Sequence, residues 1–242
     1  MDETILTPIL DWLDIAGIAV FALSGALVAA RERQTFVTMA FFALVTGVGG
    51  GTVRDLLIGA PVFWIGDPWV APICLSMALL TWFTPVRLWD LRLVAYADSI
   101  GLAAYAVLGS AKAMAYGIPP VPAALMGVIT GCVGGVIRDI VAGRPSIIMQ
   151  PELYVTAATL SAVLTVVGMQ LAALADIANA WAWGLAFAAG YVLRTMAIRF
   201  ELGLPSYGER NHSTLEGDQP PNSSSIAPIP PVDSPPGSGP PG

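Results

Sequence analysis

The chain has 242 residues, 55% of them hydrophobic and only 12% charged, with a formal net charge of -6. A soluble domain carries about a quarter charged residues, so this composition excludes an ordinary water-soluble fold, and the absence of a basic footprint excludes a nucleic-acid binder. The two cysteines, Cys74 and Cys132, lie in apolar segments without metal-type spacing, and the single histidine, His212, lies in a polar tail, so no metal centre, histidine triad or cofactor is expected.

Residues 1–12 contain Asp2, Glu3 and Asp11. They are acidic where a secretory signal is basic, and are read as an extracytoplasmic N-terminus. Apolar stretches of about the 20 residues that cross a hydrocarbon layer then predict spans at 13–30, 36–59, 69–84, 93–113, 120–143, 152–171 and 180–200. Pro61, Pro68, Pro85, Pro119, Pro145 and Pro151 fall in or beside the connections, where a missing N–H costs least. Six of the tryptophans cluster toward span ends, as in an interfacial aromatic belt. Beyond the seventh span, residues 204–242 are rich in proline, serine and glycine, with no aromatic after Tyr207; such a segment buries too little apolar surface to offset its ordering entropy, and a disordered cytoplasmic tail is predicted.

Arginine positions orient the spans. Arg31, Arg33, Arg87, Arg92, Arg144 and Arg199 all fall on one side of this topology, whereas the other side carries Asp2, Glu3, Asp11, Asp67 and Asp176, and at most Lys112 among cations. The positive-inside rule therefore places the N-terminus outside and the C-terminus in the cytoplasm.

Two stretches organise the rest: "GVGGGTVRDLL" from Gly47 and "GCVGGVIRDIV" from Gly131. A shift of 84 positions superposes Arg54 on Arg138 and Asp55 on Asp139, and also pairs Asp14 with Asp98, Gly17 with Gly101 and Pro61 with Pro145, without insertion. Each unit holds three spans, and an odd number makes the second copy cross in the opposite sense. The expected fold is an all-α integral membrane protein of seven transmembrane helices, an inverted repeat of three plus three (13–84 and 85–171) with an added seventh helix in 172–203. Such folds place the solute path at the repeat interface, lined by broken helices.

Gly49, Gly50 and Gly51, and Gly134 and Gly135 in the second copy, are expected to kink or unwind spans two and five, because glycine weakens a helix interior and admits close approach. A break exposes carbonyls that replace part of a cation's hydration shell. Arg54, Asp55, Arg138 and Asp139 are charges within spans, which are read as inward-facing and functional, either beside the path or as pairs that hold helices together. Asp14 and Asp98 are candidates for path mouths or for interfacial caps. Lys112, whose counterpart is Val28, is a candidate for asymmetric control or for snorkelling to the interface. Arg194 has the same snorkelling explanation, and the small residues around Ser24 suit helix packing. An enzyme using Asp55 and Asp139 is disfavoured, since each is next to an arginine and no further catalytic group accompanies them.

On "GGGTVRD" and "GGVIRD", one per repeat, the chain resembles the prokaryotic branch of the trimeric intracellular cation channel (TRIC) family over about residues 10 to 203. The resemblance implies a homotrimer in the lipid of a bacterial inner membrane, each subunit with its own pore bounded by kinked spans two and five and conducting potassium and other monovalent cations. It places the glycines at the kinks and Arg54, Asp55, Arg138 and Asp139 beside the path. The shorter second cluster, with Val133 in the place of Gly49, implies a smaller bend. The lipid-binding Lys-Glu signature of animal members is missing, because Lys112 is followed by Ala113. Related bacterial proteins imply an alternative, a carrier of glycine or a similar small solute.

Overall fold

The computed structural model describes residues 3–89, 91–149, 153–175 and 179–204, with residues 3–13 as backbone alone. The predicted tail from 205 onward and the orienting charges at Asp2 and Asp176 lie outside the described residues. The elements are α1 (Glu3–Arg31), α2 (Phe36–Leu57), a single turn α3 (Phe63–Gly66), α4 (Val70–Phe83), α5 (Leu91–Ala115), α6 (Pro120–Val141), α7 (Tyr154–Ala175) and α8 (Ala180–Phe200). Five of them, α1, α2, α5, α6 and α7, are long and apolar enough to cross a membrane, and the 14-residue α4 is a shorter apolar helix. The chain is an all-helical membrane fold.

Local chemistry sets the helix ends. Thr35 caps α2 through Oγ1, which accepts from the Thr38 amide at 3.3 Å, the usual relief for an orphan N–H. α6 starts at Pro120, whose lost N–H is free of cost in a first turn. Both helices stop in the same way: Gly59 and Gly143 take φ of +69° and +65°, and the next amides, of Ala60 and Arg144, return to the carbonyls of Asp55 and Asp139 at 2.8 and 2.9 Å. Only glycine enters that left-handed region cheaply.

α1, α2 and α4 pack together, as do α5, α6, α7 and α8, and α2 lies against α6. Small residues make this possible, since helices in lipid associate by close van der Waals contact rather than by hydrophobic exclusion. Several contacts recur 84 positions apart. The Phe21 and Tyr105 rings stack at 5.3 Å between centroids, with Gly17 beneath Tyr105 and Gly101 beneath Phe21, each leaving only 3.1 Å between a would-be Cβ and the ring. At the α2–α6 crossing, a methyl on Gly50 would strike the Thr130 carbonyl, and one on Gly134 would lie 2.6 Å from the Thr46 carbonyl.

That crossing revises the expectation for the glycine clusters. α2 and α6 remain α-helical from end to end, through Gly49–Gly51 and through Gly134–Gly135, so of the kinking or unwinding expected there, unwinding is not found. The glycines are used for contact: Gly50 and Gly134 bring two backbones together, Gly49 faces Ile137, Gly51 makes room for the Phe63 ring, and Gly135 for Tyr154.

Candidate functional site

Asp55 and Asp139 each occupy the last turn of their helix, α2 or α6, next to an arginine. Asp55 accepts from Arg54 Nε at 2.8 Å on one oxygen and from the Phe63 amide at 3.0 Å on the other. Asp139 accepts from Arg138 Nε at 2.9 Å and from the Ile147 amide at 2.9 Å. In both copies the carboxylate thus ties its arginine to the short turn that follows the helix, and all four side chains are buried. A buried charge without a partner is strongly unfavourable, so the pairing is a condition for these residues to sit here.

Beyond this shared unit the two copies diverge. Lys112, from α5, places Nζ 2.8 Å from Asp55 Oδ1, giving that carboxylate two cations. Arg138 instead reaches Ser24 Oγ on α1 and, at 3.5 Å, Asp98 Oδ1 on α5, giving one guanidinium two carboxylates. The four predicted charges of the two motifs therefore form two separate clusters.

Each cluster faces a cavity. One, of about 440 Å³, is lined by Asp14, Arg54 and Lys112 among others. The second, of about 340 Å³, is lined by Asp98, Arg138 and Asp139 together with Arg31, Arg144 and Arg194. On α1, Asp14 belongs to the first cavity and Ser24 to the second; on α5, Asp98 belongs to the second and Lys112 to the first. The cavities thus occupy opposite ends of this packed helix pair, with Phe21 and Tyr105, both buried, between them. Gly50 and Gly134 precede Arg54 and Arg138 by one helical turn, so the backbone crossing also lies between the clusters.

The sequence placed Asp14 and Asp98 symmetrically, and they line opposite cavities. Lys112, open between control and snorkelling, is held at Asp55. Arg194, read as snorkelling, is buried and lies 5.1 Å from the Tyr154 ring centroid, a cation–π distance. Ser24 was read as a packing residue; it binds Arg138, and nothing in the repeat pointed to it because its counterpart is Leu108. Arg144, read only as a topology signal, joins Glu32 at the rim of the second cavity. Among the described residues no cluster of histidine, cysteine and acidic side chains could hold a metal.

Comparison with known proteins gives three kinds of match. A sequence family described as Glycine transporter matches residues 11–85 and 95–170. A UPF0126 membrane protein of Vibrio cholerae serotype O1 is 36% identical over 212 residues, covering 85% of this chain and 86% of that one. The UPF0126 inner membrane protein YadS of Escherichia coli K12 is 35% identical over 202 residues, covering 81% and 95%. The crystal structure of the TRIC trimeric intracellular cation channel orthologue from Rhodobacter sphaeroides superposes with a TM-score of 0.74 at 35% identity, over 80% of this chain and 99% of that one. A second structure, described by the basis for conductance through TRIC cation channels, gives 0.72 at 28% identity, over 81% and 96%.

Proposed function

This chain belongs to the family described as Glycine transporter and shares its fold with the TRIC cation channels, and on that footing we propose that it is a channel for monovalent cations, potassium among them. It is a multi-pass bacterial membrane protein and not an enzyme. The observation that carries the channel reading is the pair of cavities at opposite ends of one helix pair, each ending on a buried Arg–Asp unit. In this reading the subunit is an inverted repeat of three plus three helices with α8 added, its N-terminus outside, and three copies assemble with one route each.

Asp14 and Asp98 are the mouths, concentrating cations by their negative potential. Arg54 and Arg138 oppose a passing cation until they shift with their aspartates, as charged constrictions do in other pores. The glycine crossing of α2 and α6 is where the route opens: bending at Gly49–Gly51 and at Gly134–Gly135 separates backbones that now touch. The Phe21–Tyr105 stack closes the route in the present conformation.

A carrier for glycine or a similar small solute is the second reading. It is favoured by one observation, the separation of the two cavities by that aromatic stack, since alternating access needs a barrier between two half-sites. The two readings part in a planar bilayer containing purified protein. Discrete openings whose reversal potential follows the potassium gradient are the expected result. Saturable glycine uptake into liposomes without such openings would replace the channel by the carrier.

Arg54→Gln and Arg138→Gln are expected to change unitary conductance or open probability severalfold while leaving membrane insertion intact. Unaltered currents in both variants would assign the arginines to packing alone.

A further inference from the structure

The two cavities are not equivalent, and the larger one carries the chemistry of a ligand site. Among the described residues its polar groups are few and convergent: Arg54 and Lys112 as cations, Asp14 as the anion, the Asn179 amide and the Trp183 indole. The Trp183 Nε1 is buried and has no hydrogen-bond partner, an uncommon condition for a buried donor and a pointer to a ligand group. The remaining wall is apolar, from Phe63, Leu108, Ala111, Ala115 and Met169. About 440 Å³ lies in the range of small-molecule sites, which combine apolar walls with a few placed polar groups.

The second cavity lacks this character at the matching positions. Ser24 stands where the first has Leu108, Val28 where it has Lys112, and Arg31 where it has Ala115. Among the described lining residues the second cavity carries four arginines, Arg31, Arg138, Arg144 and Arg194, beside its apolar residues, whereas the first carries Arg54 and Lys112 alone as cations. Glycine, which has no side chain, would leave the apolar wall of the first cavity uncovered.

We propose that the cavity bounded by Asp14, Lys112 and Trp183 binds a small zwitterion that carries an apolar side chain, a class exemplified by leucine. Its carboxylate meets Lys112 and the Trp183 N–H, its ammonium meets Asp14, and its side chain lies on Leu108 and Met169. The opposite signs within one cavity select a zwitterion over a simple carboxylate or amine. Such a ligand is either carried or blocks conduction, and binding itself depends on neither.

The test is binding to the purified full-length protein, read as ligand-induced thermal stabilisation and by calorimetry. The probes are leucine, glycine, isocaproate and isoamylamine. Leucine is expected to bind, with isocaproate and isoamylamine weaker by roughly tenfold or more, because each loses one charge-assisted contact. Trp183→Phe keeps the ring and removes the N–H, and should weaken leucine about tenfold at unchanged unfolding temperature of the free protein. Leu108→Ser, which copies the other cavity, should weaken leucine but not glycine. Equal binding of leucine and isocaproate, equal binding of leucine and glycine, no binding at all, or indifference to both substitutions would each overturn the proposal. Currents and uptake do not enter this readout, so its failure leaves the channel reading standing, and silent bilayers leave this site standing.

Discussion

Gly50→Val and Gly134→Val are expected to abolish the folded protein, seen as loss of a monodisperse peak after extraction and of cooperative thermal unfolding. At Gly50 the added carbon would overlap the Thr130 carbonyl, and at Gly134 it would lie 2.6 Å from the Thr46 carbonyl. Neither obstacle is a side chain that can turn away; both are helical backbone, so α2 and α6 must separate to make room. Overpacking a core usually costs about 1–3 kcal/mol, and the upper end or beyond applies where a whole helix crossing must move. Gly50→Ala and Gly134→Ala should already lower the unfolding temperature markedly. Gly184→Ala is the control: nothing lies within 4 Å of a Cβ there, and alanine in a helix is favoured over glycine by up to about 1 kcal/mol. A Gly50→Ala variant as stable as Gly184→Ala would mean that α2 and α6 do not cross as described.

Removing the carboxylate of Asp55 is expected to cost nearly as much. Asp55→Ala leaves Arg54 without its buried counter-ion, strips Lys112 of its partner and orphans the Phe63 amide. Breaking a buried pair from one side typically costs about 3–5 kcal/mol. Lys112→Gln alone should cost far less, since Asp55 keeps Arg54 and the amide, and the lysine is 28% exposed. In a cycle built on Asp55→Asn and Lys112→Gln, the double variant should lose less than the sum of the two single variants, a coupling of about 1 kcal/mol, reduced by the water that reaches the ammonium. Asp139→Ala tests the asymmetry. There Asp98 remains to pair with Arg138, so the loss should be smaller than for Asp55→Ala. Equal losses at both positions would show that neither Lys112 nor Asp98 contributes to its cluster.

The residues explain which features were legible from the chain alone. A span of apolar residues is a local property: five of the predicted segments fall on helices long and apolar enough to cross a membrane, α1, α2, α5, α6 and α7, and the other two fall on the shorter α4 and on α8, with ends shifted by a few residues except for α1, which begins at Glu3. Gly59 and Gly143, which stop α2 and α6, are the residues at which the predicted spans 36–59 and 120–143 end. The Arg–Asp doublets were visible too, because charges within apolar spans are rare and the offset of 84 pairs them. What the offset could not convey was where the doublets differ, since their other partners come from α1 and α5, dozens of positions away: Ser24 and Asp98 for Arg138, Lys112 for Asp55.

Amino-acid order by itself determined that this is a helical membrane protein built on two related stretches, because hydropathy, helix period and charge spacing act over one or two turns. Tertiary structure decided what the glycines do. Their weakness as helix formers suggested kinked or unwound segments; both helices run on as α-helix through the glycines, which serve as the contact where the two backbones meet. It also decided that the buried charges form two clusters and two unlike cavities. Each doublet takes its partners by proximity in space, and a single change such as Val28 against Lys112 gives the halves different chemistry.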